Sequence, residues 1–157
     1  MTEDEALLAQ LRGQWTSVDP EPADLADRTL LLLQLADLDL DFDLLRRNED
    51  VGKLVGARGE ETATTISFDN DSLTVMITTS APAAGVRRVD GWLAPGAALR
   101  VELRTVDGSR HVEADADGRF AFTDAPAGLV QFVVHPTVGA GVDLPRSVAT
   151  PPLQLWS

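Results

Sequence analysis

Asp115-Ala116-Asp117-Gly118-Arg119-Phe120-Ala121-Phe122-Thr123-Asp124-Ala125-Pro126-Ala127-Gly128 reads as a turn, a short strand and a second turn. Asp117-Gly118 suits a tight turn, because glycine tolerates positive φ and aspartate bonds its own backbone. Phe120 and Phe122 then fall on one face of an extended segment. Pro126 and Gly128 turn the chain again, into the largely apolar run 129–134. Punctuation of this kind belongs to small β-sandwich modules, and nothing in it performs chemistry.

The same two-residue period extends in both directions. Thr64, Ile66 and Phe68 alternate with polar residues, Asp69-Asn70-Asp71 turns, and Leu73, Val75 and Ile77 alternate again, which predicts a hairpin. A further strand is expected at about 86–93, stopping at Pro95-Gly96. Leu99, Val101, Leu103 and Thr105 face one way, with Arg100, Glu102 and Arg104 opposite. Asp107-Gly108 predicts a hairpin turn into 110–114, and strands follow at about 119–123, 129–134 and 148–155. About seven or eight short strands separated by turns imply a mainly β chain, an antiparallel sandwich of transthyretin- or Ig-like kind.

The first third of the chain has a different character. Thr2-Glu3-Asp4-Glu5 has capping-box spacing, and Leu7, Leu8, Leu11 and Trp15 follow at helical intervals, so a helix is expected over about 3–16. That spacing places Trp15 with core leucines. Asp19-Pro20-Glu21-Pro22 interrupts the pattern and favours a second helix. Within it, Asp37-Leu38-Asp39-Leu40-Asp41-Phe42-Asp43-Leu44 is ambiguous, because strict alternation suits a half-buried strand. Leu31, Leu35, Leu38, Phe42 and Leu45 nevertheless continue an upstream helical stripe, and aspartate is a poor strand residue. The expectation is therefore a helix to about Arg47, giving an acidic helical hairpin at 1–50 and a β-sandwich domain at 56–157.

A chain of 157 residues can bury one sizeable core. Its net charge of −12 would repel a phosphate backbone and disfavours nucleic acid or anionic lipid as a partner. Residues 1–50 hold 13 acidic and 4 basic side chains, so most of the excess is there and a basic partner is expected. The absence of cysteine excludes disulfides, thiol nucleophiles and cysteine-ligated metals. The acidic start lacks a basic n-region, and the longest apolar run, 30–33, is too short to span a bilayer; a cytoplasmic location is expected. One Lys against 12 Arg, with abundant Ala, Asp and Leu, matches high-GC bacterial usage.

Residues 86–135 carry a family likeness. Gly91, Leu99-Arg100-Val101-Glu102-Leu103, Asp117-Gly118-Arg119-Phe120, Pro126 and Gly128 resemble carboxypeptidase-regulatory-like domains of prealbumin-like topology. Their pattern is a turn, then Asp-Gly-x-Phe, then a Pro-x-Gly or Ala-Gly turn before an aromatic strand. That resemblance implies a structural or binding accessory. The whole chain also resembles small actinobacterial proteins that join a leucine-rich helical segment to such a sandwich. Their genes often lie beside those of extracytoplasmic-function sigma factors, which implies a role in sigma-factor-linked signalling.

Candidate chemistry is sparse. His111, beside the Asp107-Gly108 turn, is expected to point to solvent, and His135 to end a strand before Pro136. Ser109 is too near His111 in sequence to suggest a nucleophile–base pair. Asp37, Asp39, Asp41 and Asp43 mimic the start of an EF-hand loop, but its required Gly and Glu positions are Phe42 and Asn48. Asp115, Asp117, Asp69 and Asp71 are explained as turn formers. Trp15, Trp92 and Trp156 could stack on a sugar, with Trp156 the most exposed, although core packing is the simpler role. No metal or cofactor is expected.

The expected function is a non-enzymatic regulatory or adaptor protein. Its second-helix stripe of Leu31, Leu35, Leu38 and Phe42 would dock on a protein partner, and Asp39, Asp41 and Asp43 would steer basic groups. The alternatives are that the stripe packs on the sandwich, or that loops at one sandwich end bind carbohydrate or peptidoglycan.

Overall fold

The computed structural model describes residues 2–37, 42–48, 53–55, 62–83 and 86–156. Strand accounts for 47% and helix for 20%, which makes the chain mainly β. Two helices come first, α1 (Glu3–Val18) and α2 (Leu25–Asp37). Three short strands follow: β1 (Phe42–Leu44), β2 (Arg46–Asn48) and β3 (Lys53–Val55). Then come β4 (Thr62–Asp69), β5 (Thr74–Ala83), β6 (Val86–Ala94), β7 (Arg100–Thr105) and β8 (Gly108–Glu113). The chain closes with β9 (Arg119–Thr123), β10 (Gly128–His135), β11 (Ser147–Ala149) and β12 (Leu153–Leu155).

The strands form two sheets. One runs β1-β11-β10-β7-β8, with β12 also pairing β10; the other runs β2-β4-β5-β6-β9, with β3 also pairing β4. Only β1–β11 is parallel among these ladders. Phe68, Val75, Ile77, Val89, Leu93 and Phe122 of one sheet share a buried cluster with Val101, Leu103, Val130, Phe132 and Val134 of the other. The Phe122 and Phe132 rings meet at 6.1 Å between centroids. The alternating apolar residues thus face inward from both sheets, in a sandwich-like arrangement.

The decisive turn is built as its residues require. The Asp115 carboxylate accepts from the Asp117 and Arg119 amides at 3.0 and 2.9 Å. Gly118 has φ +85°, and a Cβ there would lie 2.5 Å from the Leu93 carbonyl oxygen, so both conformation and space demand glycine. Gly91 is demanded by space alone: a Cβ on it would lie 2.0 Å from the Phe120 ring, which covers the glycine across the β6–β9 pair. In the first hairpin, Asn70 Oδ1 accepts from the Ser72 and Leu73 amides, each at 2.8 Å.

Two expectations are corrected. The second helix ends at Asp37 and does not reach Arg47; residues 42–48 are strand. Alternation wins there because both halves of the segment find partners. β1 lies along β11, β2 pairs β4, and Leu45 between them is buried in the shared core. Asp43 tolerates the strand because it is half-exposed and lies 3.7 Å from Arg146. Residues 42–48, expected within the helical unit 1–50, therefore belong to both sheets. The single strand expected at 148–155 is two, divided at Pro151-Pro152, where proline cannot donate to a ladder.

Candidate functional site

Of the stripe expected to capture a partner, the Leu31 and Phe42 side chains are among the described residues. α2 lies on β10, and Leu31 is 0% exposed. Phe42 is half-buried and packs on Val133 and Ala149, on the outer face of the sheet. Leu31 is therefore unavailable as a free surface, while Phe42 keeps part of its ring exposed. Asp43 remains half-exposed beside Arg146. The Leu35 side chain, and Leu38, Asp39 and Asp41 altogether, lie outside the described residues.

Leu25, Leu30, Leu32 and Leu33 of α2 stay exposed, and α1 is exposed throughout. Its capping box forms as the sequence implies: Glu5 N donates to Thr2 Oγ1 at 3.3 Å, and Thr2 N to Glu5 Oε2 at 3.0 Å. The helix then buries none of its residues. Leu7, Leu8, Leu11, Trp15 and Val18 are all exposed, Trp15 at 72%. This overturns the placement of Trp15 in the core. Leu8, Leu11 and Trp15 floor a shallow groove whose acidic rim is Asp19 and Glu21, with Arg12 its one lining cation.

The other tryptophans exchange their expected roles. Trp92, expected in a buried strand, is 47% exposed, with Nε1–H donating to the Asp117 carbonyl at 3.0 Å. Trp156, expected to be the most exposed, is half-buried against the core, with the Arg87 guanidinium 5.8 Å from its ring centroid.

A second constellation lies on the outward face of the sheet that holds β10. Glu102 of β7 is almost wholly buried, and its Oε2 lies 2.7 Å from His135 Nε2 on β10. His135 Nδ1 lies 3.0 Å from Ser147 Oγ on β11. Arg104 Nε stands 3.5 Å from Glu102 Oε1, and His111 Nε2 of β8 is 3.9 Å from Oε2. The hydrogen bond from His135 is the main reason the Glu102 carboxyl sits below its ordinary value; burial opposes this, while Arg104 and a bond from Ser109 reinforce it. Arg104 Nη1 and Gln131 Oε1 are buried without a hydrogen-bond partner among the described residues. Such atoms are rare in native interiors and leave the Arg104 charge dependent on Glu102.

Three strands thus meet at one carboxylate, and β11 joins them through His135. Their register explains it: Glu102 stands opposite His111 on one side and Val133 on the other, with His135 two residues along β10. His111 is half-exposed, as expected. His135 does end its strand, but its ring is tied into the cluster, which sequence reading missed. The available signal was the outward alternation of Arg100, Glu102 and Arg104; strand register supplied the rest. Ser147, His135 and Glu102 line up as nucleophile, base and orienting acid would. Ser147 is only 5% exposed within a sheet, however, so no substrate carbonyl can approach its Oγ.

Among the described residues no group of three His, Cys, Asp or Glu is placed to hold a metal ion, and no helix is long and apolar enough to cross a membrane. Comparison with family models, curated proteins and solved structures gives no match.

Proposed function

We propose that this chain is a non-enzymatic regulatory or adaptor protein that binds another protein through the apolar face of α1. One observation carries the reading: a capped 16-residue helix leaves every one of its large apolar side chains in solvent. Contiguous exposed apolar surface of this kind favours a docking role, since water gains from its burial. The surrounding charge selects the partner. Glu3, Asp4, Glu5, Asp19 and Glu21 flank the face, with Arg12 the basic residue on α1. A second copy would bring acid against acid, whereas an apolar groove with a basic rim would gain.

The scaffold in this reading is a sandwich of carboxypeptidase-regulatory-like, prealbumin-like type. The Asp117-Gly118 turn and the Gly91–Phe120 pairing support it. Sigma-factor-linked signalling is the setting suggested by the wider resemblance. The test is affinity capture with the wild-type chain and with Leu11→Asp plus Trp15→Asp, after circular dichroism establishes equal helix content. A partner retained by the wild type, lost with the double variant and weakened by salt is expected. Identical capture by both chains would remove the reading.

Trp92 favours a second reading, a glycan-binding accessory. Its half-exposed ring is held in place through the Asp117 carbonyl and could stack on a sugar face. Saturable binding of soluble oligosaccharides, lost in Trp92→Ala, is the result this reading requires.

A further inference from the structure

We propose that Glu102 and His135 form an acid-released clamp that holds β11, and through it β1, to the centre of their sheet. β11 has the shorter ladder: it meets β10 at two register positions, Val133↔Ala149 and Val134↔Val148, with Thr150 just beyond donating its amide to the Phe132 carbonyl at 2.9 Å, whereas β7 meets β10 at five positions. His135 is the next residue along β10. Its ring continues the connection where that ladder stops, reaching Ser147 on one side and Glu102 on the other. β1 depends on β11 in turn, by three parallel register positions and a 2.8 Å bond from Leu45 N to the Ala149 carbonyl.

The clamp tolerates either state of the imidazole. With a neutral ring, Nε2–H donates to Glu102 and the Ser147 hydroxyl donates to Nδ1. With a cationic ring, both nitrogens donate and the hydroxyl turns to accept. It does not tolerate loss of the Glu102 charge. A neutral Glu102 leaves the nearly buried Arg104 guanidinium without its counter-ion.

Among the described residues, Glu102 is the one carboxylate that meets the ring, and Glu113 of β8 stands a strand further off, opposite Arg100. Arg100 is the register partner of His135, and Asp43 lies beside Arg146 at the β1–β11 end. On α2, Asp27 and Arg28 are exposed, and Asp37 is its last residue; β12 contains no titratable group. A carboxyl that titrates lower in the folded chain contributes stability that is complete above its unfolded value. That contribution disappears as pH falls through the folded value. Opening follows the shorter ladder, so β11 and β1 part from β10 before β7 does.

Hydrogen exchange measured by NMR on the full chain tests this, with protection at Leu45 read against Ile77 in β5. Between neutral pH and about pH 3, which lies below the ordinary carboxylate range, Leu45 protection should fall several-fold further than that of Ile77. In Glu102→Gln the loss should already be present at neutral pH and should no longer vary with pH. Parallel loss at both amides, or an unchanged pH profile in Glu102→Gln, overturns the clamp. Should that variant fail to fold, Ser147→Ala cuts only the hydroxyl–imidazole bond. It must lower Leu45 protection at neutral pH while sparing Ile77, and unchanged protection overturns the clamp equally.

Discussion

α1 and α2 are both leucine-bearing helices from the acidic end of the chain, yet α1 buries nothing while α2 seats Leu31 completely. α2 is the richer in leucine, six in 13 residues against three in 16, but it too leaves Leu25, Leu30, Leu32 and Leu33 exposed. What also differs is what each finds beside it: α2 lies against β10, whose outer face offers apolar Val133, and Phe42 from β1 covers the same patch. An apolar stripe therefore announces that surface wants covering without saying what will cover it. In α2 the cover, at Leu31, is the sheet. In α1 no described residue buries the stripe.

The sharpest way to test the contrast begins in the shared core. Phe132→Ala should cost about 3–5 kcal/mol, because the ring is fully buried between the sheets against Phe122. Urea unfolding monitored by fluorescence would measure it. Leu31→Ala should follow at about 2–3 kcal/mol or unseat α2, whereas a loss near zero would make α2 equivalent to α1. Gly91→Ala should cost about 1–3 kcal/mol, since the Phe120 ring must move from beneath the new methyl group. Thr2→Ala should weaken α1 by about 1 kcal/mol, lowering helix content without moving the unfolding midpoint of the sandwich. Leu11→Ala should lie within about 0.5 kcal/mol of wild type; a larger loss would mean that α1 is packed and the contrast false.

The strands from β4 to β10 were legible because most alternate with period two, β10 is a bounded apolar run, and their turns carry Asp-Gly, Asn or Pro-Gly chemistry. The segment 37–48 was not, because Leu and Phe occupied positions compatible with both periods. Local pattern could not weigh the pairing of β1 with β11, a partner more than a hundred residues away. The same limit hid the Glu102 cluster. Glu102 and His135 each read as outward-facing residues of their own strands, and only cross-strand register places one carboxylate between two imidazoles. Trp15 shows the converse: helical spacing correctly gave an apolar face but wrongly assumed a cover for it.

The path of residues 42–48 has a practical corollary for anyone dissecting this chain. Because β1 completes one sheet and β2 the other, cutting the chain after residue 50 would strip a strand from each. It would bare the backbone amides and carbonyls of β11 and of β4 at Ser67–Asp69. Unpaired strand edges recruit one another. A fragment of residues 56–157, which lacks β3 as well, should therefore self-associate more than the full chain, detectable by light scattering. The acidic end of this protein doubles as the hem that keeps its sheets from fraying into their neighbours.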